Sequence, residues 1–175
     1  MVMNLNDSIE NIKNCKLCDL RKTCNQVVLG NGKNKKIFIV GEAPGEEEDK
    51  TGFPFVGASG KLLRAVVSDN YYITNVVKCR PPQNRKPTDE EIDICVRVNF
   101  KKEFDTYKPE KLILLGKSAE KLLEFDFISG IDYVQFPHPS YYLRKGKGEE
   151  WKMKFAKILQ SKTQRVDEKL GEWFD

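Results

Sequence analysis

Short, continuously apolar segments alternate with amphipathic ones along most of the chain. Four of the apolar segments are rich in β-branched and aromatic residues, which predicts strands, at residues 36–40, 71–77, 111–116 and 133–136. Segments with helical spacing lie before, between and after them and predict helices, at residues 5–13, 58–69, 88–104, 117–125 and 149–163. The third of these helices opens at Thr88, whose spacing to Glu91 is that of a capping box.

Strands that alternate with helices predict an α/β fold in which a parallel sheet is covered on both faces. In such sheets, binding sites lie beyond the carboxyl ends of the strands. The loops that follow the first, second and fourth predicted strands should therefore converge on one site.

Composition agrees with a globular fold of one domain. Of the 175 residues, 39% are hydrophobic, which argues against disorder. The 30 basic and 26 acidic side chains leave a net charge of +4, too small to identify a partner. The sequence has no apolar run of membrane-spanning length and no signal-peptide order at its start, so we expect a cytoplasmic protein with no membrane span. A single domain over residues 1–175, with residues 166–175 as a tail, is the expected organisation.

The loop after the first strand, GEAPGEEEDKTGFPFVGASGK at residues 41–61, resembles a phosphate-binding loop only superficially. Phe55 stands where a P-loop has its first glycine, and Leu62 follows Lys61 where a serine or threonine is required. A dinucleotide-binding loop is also excluded, because Pro44 and the adjoining carboxylates occupy the approach that a pyrophosphate needs.

The five cysteines indicate a second kind of site. Cys15 and Cys18 form a C-x-x-C pair, and Cys79 and Cys95 lie far downstream with fifteen residues between them. A zinc ribbon would favour a second C-x-x-C, whereas four thiolates on separated segments are also able to hold an iron–sulfur cluster. Unrelated buried thiols are the remaining alternative. For Cys24, we expect a small buried apolar residue.

Four motifs occur together in one order: the C-x-x-C-x-L at residue 15, the 41–61 loop, TNVVKCRPPQNRKPT and HPSYYLR. In sequence and approximate spacing they resemble the family 4 uracil-DNA glycosylases, the iron–sulfur type of archaea and thermophilic bacteria. The resemblance covers most of residues 15–144.

The resemblance implies a three-layer α/β/α sandwich with a central four-stranded parallel sheet. It implies a [4Fe–4S] cluster, for which the ligands would be Cys15, Cys18, Cys79 and Cys95. It also implies base excision repair: the N-glycosidic bond of uracil is cleaved in DNA, either single- or double-stranded, by a monomeric enzyme associated with the nucleoid.

The uracil pocket implied by the resemblance is chemically reasonable. A base must leave the duplex to be cut, so a pocket needs a stacking face and polar edges. Phe55, stiffened by Pro54, supplies the face, and the backbone of the loop at Gly41, Glu42 and Ala43 approaches the pyrimidine edge. The amide of Asn75 offers a donor for uracil O4 and an acceptor for N3–H.

His138, the only histidine in the chain, follows the fourth strand and is expected to stabilise negative charge on uracil O2. The sugar becomes cation-like, so negative charge near it is favourable, and Glu42 and Glu48 are the candidates. The residues identify no general base. We expect a largely dissociative mechanism in which backbone groups and Glu48 hold the water.

Basic residues flank the same predicted site and suggest contacts to DNA phosphates. One group surrounds the third cysteine, Lys78, Arg80, Arg85 and Lys86, and the other follows the histidine motif, Arg144, Lys145 and Lys147. Tyr142, Leu143 and Arg144 are the candidates for a side chain that enters the gap left by the flipped base.

Two other functions fit parts of the pattern. A non-catalytic module of the same fold would bind DNA or uracil without cutting it, and an iron–sulfur redox protein would not depend on uracil. The presence of both Asn75 and His138 favours the enzyme.

Overall fold

A computed structural model describes residues 5–160 of the protein. Its centre is a sheet of four parallel strands in the order β2-β1-β3-β4, with β1 at Ile37–Gly41, β2 at Tyr72–Asn75, β3 at Lys111–Leu115 and β4 at Asp132–Phe136. All four strands coincide with predicted ones. The parallel α/β class and the four-stranded sheet are therefore confirmed.

Nine α-helices flank the sheet within the described residues. Those before β2 are α1 at Leu5–Lys13, α2 at Leu20–Thr23, α3 at Glu46–Thr51 and α4 at Ala58–Arg64. Those after β2 are α5 at Asp89–Cys95, α6 at Lys101–Tyr107, α7 at Lys117–Glu120, α8 at Pro139–Arg144 and α9 at Gly148–Gln160. A π-helical segment, Val96–Phe100, joins α5 to α6, and single 3₁₀ turns lie at Pro82–Asn84, Lys121–Glu124 and Asp126–Ile128.

Several helix boundaries differ from the predicted ones. The helix predicted at 58–69 ends at Arg64, where a β-branched pair, Val66 and Val67, follows and lowers helix propensity. The one predicted at 88–104 continues to Tyr107. Three short helices, α2, α3 and α8, were not predicted, because four to six residues are too few to show a helical period. Residues 161–163 of the last predicted helix and the tail at 166–175 lie outside the described residues.

Each face of the sheet packs against its own apolar core, which gives three layers. On one face Phe38, Val40, Leu112 and Leu114 pack with residues of the long helix that runs through α5 and α6. On the other face the alternating residues of the strands pack with α4 and α9, whose Leu63, Trp151 and Phe155 are fully buried. Burying a side chain of that size contributes roughly 1.5–3 kcal/mol.

Within residues 5–160, no helix has both the length and the apolarity needed to cross a membrane.

Candidate active site

A cavity of about 390 Å³ lies at the carboxyl ends of the strands, where the loops after β1, β2 and β4 converge as predicted. Its walls include most of the predicted pocket residues, among them Glu42, Ala43, Glu48, Phe55, Asn75 and His138. Asn84 and Ser140 also line it and were not predicted. The parallel topology explains the convergence, since all four strands end at the same edge of the sheet.

Gly41, the last residue of β1, allows two pocket side chains to meet. It pairs in register with Asn75 of β2. A Cβ atom at Gly41 would lie 2.4 Å from Cζ of Phe55 and 2.6 Å from Oδ1 of Asn75. Both distances are shorter than any tolerable contact, so only glycine leaves room for the Phe55 ring and the Asn75 amide side by side.

Phe55 is held in an unusual conformation. Its backbone φ is 55°, in the left-handed region that non-glycine residues rarely adopt, and the residue is 5% exposed. Arg64 of α4 clamps it in place, because Nε donates to the Phe55 carbonyl at 2.9 Å and Nη2 donates to the Pro54 carbonyl at 2.8 Å. Gly60 lets the α4 backbone approach, since a Cβ there would lie 2.0 Å from the Phe55 carbonyl carbon.

Glu48 organises the loop around the cavity. One carboxylate oxygen accepts from the backbone N–H groups of Val56 and Gly57, both at 2.8 Å, and the other accepts from Gly45 at 3.1 Å. The side chain thereby ties the start of α3 to the segment that carries Phe55. Its two oxygens are thus already engaged with the main chain, and Glu48 is 9% exposed.

Glu42 has a different environment. It is half-buried at the mouth of the cavity, and Oε2 accepts a hydrogen bond of 2.5 Å from the hydroxyl of Ser118 in α7. Its carbonyl and that of Gly41 accept from the backbone N–H groups of Val77 and Val76, both at 3.0 Å. The residues after β2 therefore hold the main chain at Glu42, and Ser118, which was not predicted, orients its carboxylate.

His138 caps the N-terminus of α8. Its Nδ1 accepts from the backbone N–H of Ser140 at 3.2 Å and lies 2.8 Å from the Ser140 hydroxyl. The accepting role at Nδ1 leaves the proton of the neutral ring on Nε2. Burial lowers the pKa of His138 to about 4, because it removes water from the charged form; nearby Arg144 lowers it further and Glu48 opposes them both. His138 is thus neutral at physiological pH, with Nε2–H as its donor.

The loop that carries His138 is anchored from behind. The indole nitrogen of Trp151 donates to the Pro137 carbonyl at 2.9 Å. This contact was not predicted, since a tryptophan in an amphipathic helix gives no signal beyond core packing. It fixes the residue before His138 against α9.

The cysteines lie near one another on the side of the sheet packed by α5 and α6. Cys79 and Cys95 are 8% and 6% exposed, and Cys15 and Cys18 are half-buried. Burial raises the pKa of Cys18 and Cys79, and that of Cys95 to about 11; the nearby Cys15 adds to the effect at Cys18 and Cys95. The four predicted ligands are therefore close enough for each thiol to influence the pKa of another.

Hydrogen-bond donors surround two of these sulfurs. The side-chain amide of Asn99 lies 3.2 Å from Sγ of Cys15 and 3.6 Å from Sγ of Cys95, and the backbone N–H of Lys78 lies 3.4 Å from Sγ of Cys95. Donors of this kind stabilise the thiolate form that a metal requires. Within residues 5–160, however, no three His, Cys, Asp or Glu side chains have the arrangement of a single-ion site.

Cys24 has a more specific environment than the predicted small apolar one. It is 8% exposed, and its sulfur accepts from Nη1 of Arg21 at 3.8 Å. Burial raises the pKa of the Cys79 thiol, and the nearby Cys24 thiol adds to that effect.

Two residues expected to contact DNA are buried, and those expectations are wrong. Lys78 is 0% exposed, because its ammonium forms an ion pair in the core beside β2. Tyr142 is 3% exposed and packs in the apolar core against α4 and α9, so it is not available to enter a duplex.

The other basic residues lie at the surface around the cavity. Lys86, Arg144 and Lys145 are exposed, and Leu143 is half-buried. Arg85 makes a bidentate pair with Glu91 at 2.6 and 2.9 Å. Arg80 donates to Oδ1 of Asn84 at 2.7 Å and lies 3.6 Å from Glu46; Lys147 lies 3.8 Å from Glu150.

Comparison with known proteins gives one consistent result. A family model described as the uracil DNA glycosylase superfamily matches residues 28–160. The chain is 41% identical over 141 residues to a protein of Archaeoglobus fulgidus named type-4 uracil-DNA glycosylase, covering 73% of this chain and 70% of that one. A protein of the same name from Thermotoga maritima is 35% identical over 175 residues, covering 88% and 91% of the two chains. One from Sulfurisphaera tokodaii is 39% identical over 168 residues, covering 87% and 71%.

Proposed function

The chain belongs to the uracil DNA glycosylase superfamily, and on that premise we propose that it excises uracil from DNA in base excision repair, hydrolysing the N-glycosidic bond to leave an abasic site. The observation that carries the proposal is the meeting of an aromatic face, an amide and a neutral imidazole at one cavity. These are Phe55, Asn75 and His138. A flipped pyrimidine needs all three kinds of contact.

Recognition of the base is assigned to Phe55 and Asn75. The uracil ring stacks on Phe55, while the amide of Asn75 donates to O4 and accepts from N3–H. Cytosine carries an amino group at C4 and an unprotonated N3, so it offers Asn75 the wrong donor and acceptor. The close approach of Gly41 to both side chains supports a pocket with little freedom to rearrange.

Bond cleavage is assigned to His138. As the bond between C1′ and N1 breaks, its electron pair moves into the uracil ring and negative charge develops on O2. The Nε2–H of a neutral imidazole donates to that oxygen, and the interaction strengthens as the charge grows. Water then adds to C1′ and loses a proton, and the departing uracil anion is protonated.

The two carboxylates receive different roles. The Glu42 carboxylate, held by Ser118 at the mouth of the cavity, stabilises the cation-like sugar. Glu48 shapes the loop through its three backbone hydrogen bonds, which departs from the water-holding role expected from the sequence.

A [4Fe–4S] cluster is assigned to Cys15, Cys18, Cys79 and Cys95. The amide and main-chain donors at two of the sulfurs fit thiolate ligands of a cluster. When bound, the cluster would crosslink the N-terminal segment, the loop after β2 and helix α5. Glycoside hydrolysis transfers no electrons, so its contribution is structural.

DNA is held by cations around the cavity. Arg144, Lys145 and Lys86 contact phosphates, with Arg80 and Arg85 as further donors, and Leu143 or Arg144 occupies the gap left by the flipped base. We also propose that the protein acts as a monomer, is associated with the nucleoid and accepts single- or double-stranded DNA.

The test is a uracil-containing oligonucleotide incubated with the purified protein and then treated with alkali, which cleaves abasic sites. We expect strand cleavage at uracil and none at cytosine or thymine in matched oligonucleotides. A non-catalytic binding module would retard the uracil strand in a gel and leave it intact. A redox protein would do neither.

A further inference from the structure

A completely buried ion pair lies directly behind the uracil pocket. Lys78 and Glu103 are both 0% exposed, and Nζ of Lys78 lies 2.7 Å from Oε2 of Glu103. The ammonium has two other partners, Oγ1 of Thr74 at 2.6 Å and the main-chain carbonyl of Asn75 at 2.7 Å. Three acceptors match its three protons.

Glu103 is equally well satisfied. Its Oε1 accepts from the backbone N–H of Gly30 at 3.0 Å and from the hydroxyl of Tyr72 at 3.2 Å. Its Oε2 accepts from Lys78 and from the hydroxyl of Thr74, the latter at 2.9 Å. The network joins α6 to three residues of β2 and to the segment before β1.

Stability alone does not account for this pair. Removing two charges from water costs several kcal/mol per ion, and buried pairs are often replaceable by apolar residues without loss of stability. What distinguishes the network is the group it holds. One of the three ammonium hydrogen bonds goes to the main chain of Asn75, the residue proposed to recognise uracil.

Lys78 also contacts the cysteine site. The backbone N–H of Lys78 donates to Sγ of Cys95, and Cys79 follows it in sequence. Helix residues Cys95, Asn99 and Glu103 are spaced four apart, so they share one face across the π-helical segment Val96–Phe100. Such segments recur at functional sites, where they adjust the direction of a helix face.

We propose that Lys78 is a positioning residue for uracil selectivity: its buried ammonium fixes the main chain of Asn75, so that the Asn75 amide faces the pyrimidine edge. The proposal rests on the proposed function of Asn75. The Asn75 amide has little room to move, because it packs directly against Gly41. A shift of about 1 Å in such a group costs on the order of 10²-fold in rate.

The variant that tests it replaces both charges, Lys78→Met with Glu103→Leu. Removing both leaves no unpaired ion in the core and deletes the hydrogen bond to the Asn75 carbonyl. The backbone N–H of Gly30 and the hydroxyls of Tyr72 and Thr74 lose their carboxylate partner in the same variant. We expect a folded protein with a lowered melting temperature and normal iron content, a single-turnover rate on uracil reduced roughly 10- to 100-fold, and weaker inhibition by free uracil. The control is Lys101→Gln with Asp105→Asn, an exposed pair on the same helix, which should leave all four quantities unchanged.

A purely structural role is distinguished by combining the double variant with Asn75→Ala. If Lys78 acts through Asn75, the Asn75 amide no longer contributes to the rate once Lys78 is replaced. Asn75→Ala should then reduce the single-turnover rate much less in the double variant than in the wild type. Losses that multiply independently would overturn the proposal, as would a folded double variant with the wild-type rate and uracil inhibition.

If the double variant does not fold, Glu103→Gln carries the test. It keeps the shape of the side chain but weakens the hold on the ammonium, so a smaller loss of rate is expected in a folded protein, and a wild-type rate would overturn the proposal. A wild-type protein that fails to cut uracil DNA rejects the proposed function instead, so the two failures are distinguishable.

Discussion

The ring of Phe55 lies 5.9 Å from the imidazole of His138, centroid to centroid, with the two planes inclined by 36°. Phe55 comes from the loop after β1 and His138 from the loop after β4, on opposite sides of the sheet centre. The aromatic face and the proposed hydrogen-bond donor are therefore adjacent, and a base stacked on the first is within the neighbourhood of the second.

Replacing His138 by asparagine separates its two roles. Asparagine is a good N-cap, so it preserves the start of α8, but it is too short to reach the position of Nε2. We expect near-normal stability and DNA binding, with single-turnover excision slowed about 10²–10³-fold, the usual cost of one oxyanion donor.

His138→Ala is the matched comparison. It loses the donor and the cap together, so the melting temperature should fall as well, by an amount corresponding to about 1 kcal/mol. If His138→Asn excises uracil at the wild-type rate, the catalytic assignment of His138 is wrong.

The pH dependence should reflect a histidine that stays neutral. With its pKa lowered to about 4, His138 keeps its donor at Nε2 throughout the range around its ordinary pKa of about 6.5. We expect no change in single-turnover rate attributable to His138 between about pH 5 and 8. An acid limb near pH 6.5 that disappears in His138→Asn would contradict this.

The same shift has a consequence for stability. Below about pH 6.5 the unfolded chain binds a proton at His138 that the folded protein does not, so this residue reduces stability progressively as pH falls from about 6.5 towards 4. Urea denaturation of the wild type and His138→Asn at several pH values measures it. The stability difference between the two proteins should shift in favour of the variant at lower pH.

The strand segments were predictable from sequence because their signal is local. An apolar segment such as residues 111–116 indicates a buried parallel strand whatever its neighbours are. The convergence of Gly41, Asn75 and His138 followed from topology, since parallel strands end at one edge. Short helices such as α3 and α8 were not predictable, because six residues are too few to show a helical period. The hydrogen bonds that the Glu48 carboxylate accepts from the Val56 and Gly57 N–H groups likewise leave no periodic pattern in the sequence.

The two wrong assignments, of Lys78 and Tyr142 to DNA contacts, also depend on interactions that the sequence pattern does not show. Lys78 stands beside Cys79 and Arg80 in a polar loop, which is the sequence context of a surface residue. Its burial depends on Glu103, which lies in a helix 25 positions away. Tyr142 likewise became a core residue because the unpredicted helix α8 turns it inward against α4 and α9. Long-range partners of polar groups leave no periodic trace in the sequence.

Gly41→Ala should abolish uracil excision. The added methyl group would overlap the Phe55 ring and the Asn75 amide, at 2.4 and 2.6 Å, and one of them must leave its position. Gly148→Ala is the control: a Cβ there meets its nearest neighbour, Leu62, at 3.4 Å, and the residue starts helix α9. We expect that variant to keep full activity, and equal activity in the two variants would contradict the pocket proposed here.

Cluster binding should depend on Asn99 as well as on the four cysteines. The purified protein should be brown and contain four iron atoms per chain, and serine at Cys15, Cys18, Cys79 or Cys95 should lower the iron content. Asn99→Leu removes the donor shared by Cys15 and Cys95, so we expect faster loss of visible absorption in air. Cys24→Ser is the control and should retain iron, whereas colourless protein with stoichiometric zinc would overturn the assignment.

The role of Arg144 in binding DNA is measurable from salt dependence. Arg144 is exposed at the rim of the cavity beside His138, so its removal takes away one phosphate contact and leaves the fold unchanged. The logarithm of the binding constant falls linearly with the logarithm of salt concentration, and its slope counts neutralised phosphates. In Arg144→Ala we expect a slope smaller by about one unit and weaker binding to all sequences alike.

Lys154→Ala, on helix α9 and outside the lining of the cavity, is the control and should keep the wild-type slope. A wild-type slope for Arg144→Ala would remove Arg144 from the phosphate contacts. A reduced excision rate in the same variant would then support its other proposed place, in the gap left by the flipped base.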